Sequence, residues 1–296
     1  MIFLKVLEIV FPVFFLSSLG YFWVRLGFEY PMKFVMRLSM MIAVPCLVFV
    51  SLTKTTIDSE NLILLTIAAF STYFLLIIFL IFFIKLTGID FQTYLAPLTF
   101  GNTGNIGLPL AYFAFGEVGL GYAVIIFSVT AILSFSIGIW FVSGGAISFQ
   151  ALKKEPLIIA TILGAIFLFT DASTPLFLTS TLELIGQIAI PLMLITLGVA
   201  MADLKINDLK SAVAFSVLKL FLCLSAGIFV GYFFSLNEIS FSVLLMQIST
   251  PVAVTSYLLA RKYKADSLKV ASLVVVSTCL SLIYLPTILF FQLHSL

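Results

Sequence analysis

Two polar stretches interrupt apolar parts of this sequence and carry the residues best suited to binding a ligand. The first reads FGNTGNIGLP over residues 100–109. Glycine and proline are poor helix formers, and proline also removes a backbone donor and clashes with the carbonyl one turn back. Unpaired backbone is costly in lipid, so such a break is stable only inside protein or beside a wet cavity. The predicted backbone positions of this break are Gly101, Gly104, Gly107 and Pro109.

A broken helix leaves two half-helix ends at the middle of the membrane, and one of these ends suits an anion. Its free N–H groups carry partial positive charge, which favours a carboxylate. The side chains of Asn102, Thr103 and Asn105 add neutral donors and acceptors without burying a full charge. We therefore predict that these three residues bind a small organic anion.

The second stretch reads QISTPVAVT over residues 247–255. It holds no glycine, but it places polar side chains around a proline. We predict that Gln247, Thr250 and Val252 bind substrate, and that Ser249 and Pro251 form the backbone crossover.

No other chemistry is indicated. The three cysteines lie in apolar runs, the single histidine lies near the C-terminus, and no nucleophile–base pair is present. The GNTG segment lacks the following Gly-Lys-Ser/Thr that a phosphate loop needs. We predict no catalytic residue, no metal site and no cofactor, so the chain is not an enzyme. Uphill transport would then draw on an ion gradient or the membrane potential.

The composition sets the class of protein. Of the 296 residues, 62% are hydrophobic and 9% are charged, against about 45–50% and about 25% in soluble domains. The mean hydropathy is +1.26. These values exclude a soluble enzyme, a disordered chain and a nucleic-acid binder. The chain is predicted to be an all-α polytopic membrane protein surrounded by lipid.

Apolar runs separated by charge or turn clusters predict ten transmembrane helices. They are 6–26, 34–52, 61–84, 93–115, 119–142, 156–170, 178–201, 211–235, 240–260 and 268–292.

Lysine and arginine divide unevenly between the two sides that ten spans define. One side holds twelve of them and the other holds Lys5 and Lys54. The twelve are Arg25, Lys33, Arg37, Lys85, Lys153, Lys154, Lys205, Lys210, Arg261, Lys262, Lys264 and Lys269. Positive charge stays cytoplasmic in short loops, so both termini are expected outside the cytoplasm and the central loop inside, in a cell (inner) membrane.

The sequence also indicates an internal duplication. The IAVP of residues 42–45 matches the IAIP of residues 188–191, and Pro109 and Pro251 follow at offsets of 64 and 60 residues. Repeats 1–142 and 156–296 would each hold five spans, joined by a short cytoplasmic loop at 143–155. Because five is odd, the second repeat inserts inverted, which is the mark of a secondary transporter. The two breaks would then cross and frame one site, whereas Pro45 and Pro191 are interpreted as kinks.

The GNTGNIGLP motif of residues 101–109 resembles the fourth-helix crossover of the auxin efflux carrier family. That family includes the plant PIN-type auxin exporters and bacterial malonate and malate carriers. The resemblance extends to the IAVP motif, to TPVAV over residues 250–254 and to ARKY over residues 260–263. The short central loop is similar to that of the bacterial members.

The resemblance implies a fold like that of bile-acid and PIN carriers, with crossed, broken helices 4 and 9. It further implies a scaffold of helices 1, 2, 6 and 7, which could form a homodimer. Helices 3–5 and 8–10 would form a transport domain that moves as an elevator. Asn102 matches the asparagine that contacts the substrate carboxylate in PIN-type carriers. One departure concerns the acidic residue of their third span, where this chain has Phe70.

Several charges fall within or beside the predicted spans, and intramembrane charges are candidates for function. Glu8, Arg37 and Glu183 lie close to a predicted interface, and Glu117 follows the first break. Lys219 is the deepest. We expect it to be structural, with a buried stem and a head that reaches the interface.

Three functions remain open. The first is a secondary carrier of a small organic anion (an auxin-like carboxylate or a dicarboxylate), with H⁺, Na⁺ or no coupling ion. The second is a sodium-coupled symporter of a larger amphipathic anion. The third, from another class, is a membrane receptor or intramembrane enzyme, which the duplicated halves and the missing catalytic pairs disfavour.

Overall fold

The computed structural model describes residues 2–145, 155–170 and 172–295, and the helices account for nearly all of them. The predicted loop 143–155 lies mostly outside this part, because residues 146–154 are not among those described. The helices are α1 (Ile2–Arg25), α2 (Met32–Lys54), α3 (Ser59–Thr87), α4 (Phe91–Thr99), α5 (Thr103–Ser143), α6 (Pro156–Phe169), α7 (Leu176–Asp203), α8 (Leu209–Phe233), α9 (Glu238–Ile248), α10 (Val254–Lys262) and α11 (Ser267–Ser295).

In the described part of the chain, seven helices are long and apolar enough to cross a membrane. They are α1, α2, α3, α5, α7, α8 and α11. The predicted class, an all-α polytopic membrane protein, is therefore confirmed. Seven differs from the ten predicted spans for three reasons: two predicted spans are interrupted, α6 has 14 residues, and α5 joins two of the spans. The number of crossings stays a prediction.

Helix α5 reverses direction at Gly116. This glycine has φ 63° and ψ −149°, which are not helical values. A Cβ at Gly119 would lie 2.5 Å from the carbonyl oxygen of Ala111, whereas eight residues of straight helix would separate them by about 12 Å. Helix α5 thus has a first arm (103–115) and a second arm (117–143). The first arm matches the end of the predicted fourth span, and the second arm matches the predicted fifth span.

Two helices widen just before a proline. A π-helical turn covers Ser39–Ala43 in α2 and Thr103–Gly107 in α5. Pro45 and Pro109 each follow two residues after such a turn. Proline has no N–H and clashes with the carbonyl four residues back, and the wider i→i+5 pattern relieves both problems.

Helices α1 and α7 make a close backbone contact. A Cβ at Gly20 would collide with the carbonyl oxygen of Ile195, and one at Gly198 would collide with that of Ser17. Helix α2 packs on α6 and α7. The remaining helices form a second set, in which α3 contacts α4, α5 and α8, and α11 contacts α8, α9 and α10. This second set contains both interrupted stretches.

Candidate ligand-binding site

The two interrupted stretches lie directly against each other. The first break covers residues 100–107, which are the link between α4 and α5 and the π-helical first turn of α5. The second break covers residues 247–253, which are the end of α9 and the link between α9 and α10. Gly101 and Val252 form an antiparallel bridge. The backbone N–H of Asn102 donates to the carbonyl of Pro251 at 2.7 Å. We call these two segments together the paired breaks.

Two glycines allow this approach. A Cβ at Gly101 would collide with Oγ1 of Thr250 and would lie 2.8 Å from the carbonyl oxygen of Thr250. A Cβ at Gly107 would collide with the side-chain amide of Gln247. The first break therefore provides space, and the second break fills it with polar side chains.

Asn102 immediately precedes α5 and caps its N-terminus. Its carbonyl accepts from the N–H groups of Ile106 and Gly107, at 3.2 Å each. Its side-chain Oδ1 accepts from the N–H of Asn105 at 3.3 Å. Because Oδ1 is used in this cap, the other polar atom of the side chain, Nδ2, remains a free donor. The residue is 5% exposed, so this donor is buried.

Four buried polar side-chain atoms at the paired breaks have no hydrogen-bond partner among the described residues. They are Asn102 Nδ2, Gln247 Oε1, Gln247 Nε2 and Ser249 Oγ. Leaving a polar group buried and unpaired costs about 1–3 kcal/mol. Unpaired buried polar groups are rare in folded proteins, so these four atoms call for a partner such as a water, an ion or a polar ligand.

The other predicted site residues have different positions. The Thr250 hydroxyl donates to the Gln247 carbonyl at 2.6 Å, so its hydrogen is already used. Val252 is fully buried and contributes its backbone, and Thr103 is 2% exposed. Asn105 is half-buried. Gly104 faces the second arm of α5 and α7, because a Cβ there would lie 2.9 Å from Phe127 and 3.2 Å from Met193.

Sequence reasoning missed Ser277. Its Oγ accepts from the N–H of Val252 at 3.0 Å and so holds the second break against α11. Serine is common in membrane helices, and nothing in the sequence around Ser277 marks it. Phe127 and Met193, which line the first break at Gly104, carry no signal either, because large apolar side chains occupy most positions of these helices.

The prediction that Lys219 reaches the interface is wrong. Its side chain is 3% exposed. Its Nζ donates to the carbonyl oxygen of Leu98, in the last turn of α4, at 3.3 Å. The ammonium therefore lies inside the protein beside the first break, where that carbonyl provides a local acceptor. Depth along α8 did not reveal which way the side chain turns.

The third-span position highlighted by the family resemblance does not face the breaks. Phe70 is 40% exposed. One turn further along α3, Tyr73 is fully buried, and its ring centroid lies 5.7 Å from that of Phe100. The Tyr73 hydroxyl is hydrogen-bonded to Thr130 at 2.7 Å. A neutral tyrosine–threonine pair thus lies beside the first break.

A cavity of about 590 Å³ opens between α2, α7 and the reversal of α5. Its charged lining residues are Lys54, Glu117 and Glu183, and the Lys54 and Glu183 side chains form an ion pair at 2.6 Å. Ile190 and Pro191 also line the cavity, and they precede Met193 by less than one turn of α7. The cavity therefore approaches the side of the first break that Gly104 presents. Glu8 and Arg37 are exposed.

The described residues hold no group of three or more His, Cys, Asp or Glu side chains that could bind a metal ion. The chemistry at the paired breaks is instead that of amide, hydroxyl and backbone groups beside two helix N-termini, those of α5 and α10. Such a set can hold an anion by hydrogen bonds and dipoles without an opposing buried charge in direct contact.

Comparisons with known proteins extend over the whole chain. A model of the membrane transport protein family matches residues 5–146 and 145–289. An uncharacterized transporter of Methanothermobacter thermautotrophicus is 30% identical over 305 residues, which cover 97% of this chain and 98% of that protein. A second uncharacterized transporter, from Methanocaldococcus jannaschii, is 25% identical over 296 residues, with coverage of 94% and 96%. The matched regions include both breaks.

Proposed function

Because the chain belongs to the membrane transport protein family, we propose that it is a secondary carrier that moves a small organic anion across the cell membrane. The family is one of transporters and not of enzymes. The anion and its binding at the paired breaks are argued from the geometry of those residues.

The observation that carries the proposal is the group of unpartnered polar atoms at the paired breaks. Asn102 Nδ2, Gln247 Nε2 and the Ser249 hydroxyl are potential donors to a carboxylate. Helices α5 and α10 both begin at the breaks, and the first N–H groups of a helix have no partner within it. Donors and positive helix ends together favour a negatively charged ligand.

The two breaks are in direct contact, because Gly101 is bridged to Val252 and Gly107 is in contact with Gln247. A ligand would therefore bind beside the paired breaks and not between them. A sodium-coupled symporter remains the second candidate, because Gln247 Oε1 and Ser249 Oγ are unpartnered oxygen atoms of the kind that a hard cation accepts. Neither break contains a carboxylate to complete such a site.

Alternating access between two helix groups would move the anion. The contact of α1 with α7 is made backbone to backbone, whereas Gly104 of the first break meets α7 through the flexible side chain of Met193. This difference supports a scaffold of α1, α2, α6 and α7 and a transport domain of the remaining helices, which would slide along it as an elevator. The 5+5 inverted repeat and a homodimer formed through the scaffold remain part of the proposal on the evidence of the sequence alone.

Two experiments test the proposal. Purified protein is heated with malonate, malate or indole-3-acetate, and the anion that binds should raise the apparent melting temperature in proportion to log concentration. Uptake of the same anion into proteoliposomes is then measured with sodium, and again with choline in its place. Uptake that is equal in both solutions supports the anion carrier, and uptake that needs sodium supports the symporter. Stabilisation without any uptake would contradict a carrier.

The proposed orientation has both termini outside the cytoplasm. It rests on the uneven distribution of lysine and arginine between the two sides. The Lys54–Glu183 ion pair fits the predicted spans in either orientation, because the prediction places both residues on the same side of the membrane. A C-terminal tag should be digested by protease added to intact spheroplasts, and a protected tag would reverse the orientation.

A further inference from the structure

Lys219 carries a buried charge close to the proposed binding site but is not one of its ligand-binding residues. It lies on α8, is 3% exposed, and donates to the Leu98 carbonyl at 3.3 Å. Its Nζ also lies 3.8 Å from the Sγ of Cys223. Within the described residues, ion pairs join Lys54 to Glu183 and Lys269 to Asp266, and Lys219 forms none.

The break itself supplies the acceptor for this ammonium. In a continuous helix the N–H of Asn102 would donate to the carbonyl of Leu98, four residues earlier. Here the N–H of Asn102 donates to Pro251 instead. The Leu98 carbonyl therefore does not accept the helical hydrogen bond from Asn102. It accepts one from the Lys219 ammonium instead. The position of the charge therefore depends on the same backbone rearrangement that creates the paired breaks.

One carbonyl does not neutralise an ammonium. The C-terminal end of α4 carries partial negative charge, which offsets part of the cost of burial. Buried charges are normally paired with an opposite charge or a bound ion. Lys219 therefore leaves a net positive potential at the first break. Leu98 and Asn102 are four positions apart in the sequence, so at most about 14 Å of chain joins the two.

We propose that Lys219 is the fixed positive charge that makes the paired breaks select anions. The proposal rests on the proposed function and adds to it the determinant of charge selectivity. At a separation of about 12 Å and an effective dielectric constant of about 20, one charge changes the affinity for another by roughly tenfold. Lys219 acts through space and need not touch the ligand, so it is a specificity-determining residue.

The test separates charge from structure with three variants. Lys219→Gln keeps a donor for the Leu98 carbonyl but removes the charge, and Lys219→Arg keeps the charge. Lys210→Gln, nine residues earlier on the same helix, removes an exposed charge as a control. Dissociation constants are measured by calorimetry for malonate and indole-3-acetate, each beside its uncharged amide.

We expect Lys219→Gln to weaken binding of the carboxylate roughly tenfold and to leave binding of the amide unchanged. Lys219→Arg and Lys210→Gln should stay close to wild type. Equal weakening of acid and amide would make Lys219 structural and overturn the proposal, as would an unchanged carboxylate affinity in folded Lys219→Gln. Binding of neither carboxylate by the wild-type protein would contradict the proposed function itself, and the inference would fall with it.

Discussion

The two breaks meet at one place but are built from different residues. The first break contains three glycines, and two of them lie where side chains of the second break approach. The second break contains no glycine and instead presents Gln247, Ser249 and Thr250. One break therefore provides room and a helix cap, and the other provides side chains. Substitutions that add atoms should damage the first break, and those that remove atoms should damage the second.

The largest expected effect is that of Gly101→Ala. The new methyl group would lie 2.8 Å from the Thr250 carbonyl oxygen and would also collide with Oγ1 of the same residue. Because part of the obstacle is backbone, no rotamer change relieves it. Overpacking costs about 1–3 kcal/mol and sometimes more, and we expect the upper end or loss of folded protein. The measurement is the yield and apparent melting temperature in detergent.

The control for Gly101→Ala is Gly121→Ala, in the second arm of α5, where the nearest neighbour is the terminal Cδ1 of Ile57, a side-chain atom that can shift, at 3.0 Å. It should be milder. Equal stability of Gly101→Ala and wild type would mean that the two breaks do not meet as described.

The second effect concerns binding, through Asn102→Ala. Its Nδ2 is the free donor of the first break, and losing a hydrogen bond to a charged partner costs about 1.5–3 kcal/mol, or roughly 10- to 100-fold in affinity. Calorimetric titration with the anion found in the stability screen gives this number. Asn105→Ala should act mainly through the local backbone and change affinity less.

Asn102 also caps α5, so a second variant separates the two roles. Asn102→Asp keeps the oxygen that accepts from Asn105 but removes the donor and adds a negative charge. It should fold and bind the anion even more weakly than Asn102→Ala. Wild-type affinity in folded Asn102→Asp would move the site away from the first break.

The third effect compares a glycine whose neighbour is a side chain, Gly107, with one whose neighbour includes backbone, Gly101. In Gly107→Ala the new methyl group would collide with the side-chain amide of Gln247. A shorter side chain at position 247 would remove this collision. We expect a loss of about 1–2 kcal/mol in stability, and recovery of most of it in the double variant Gly107→Ala/Gln247→Ser. The corresponding pair Gly101→Ala/Thr250→Ala should not recover, because the Thr250 carbonyl remains. Apparent melting temperatures are compared for wild type, the two glycine variants, the two double variants and the single variants Gln247→Ser and Thr250→Ala. Additive losses at Gly107 and Gln247 would contradict the contact.

The sequence predicts the first break better than what surrounds it. Glycine, asparagine and proline inside an apolar run have few structural explanations, so Gly101 and Asn102 could be identified from residue type alone. The reversal at Gly116 falls between the predicted fourth and fifth spans for the same reason. Lys219 was misjudged because its distance along α8 says nothing about which face of the helix is buried. The sequence also cannot predict which polar side chains are already hydrogen-bonded. The Thr250 hydroxyl and the Gln247 amide are equally plausible ligand-binding groups until their partners are known.

The smallest expected effect concerns the contact between the second break and α11. Ser277→Ala removes the acceptor of the buried Val252 N–H, and we expect a loss of about 1 kcal/mol in stability. Ser281→Ala is the matched control, because this serine is equally buried on α11 and its hydroxyl donates only to the carbonyl of Thr278, in its own helix. The melting temperature should fall more for Ser277→Ala than for Ser281→Ala. If Val252 is also part of the anion site, the affinity falls in Ser277→Ala alone. Equal losses in both variants would show that the second break keeps its shape without α11, through its bridge to Gly101.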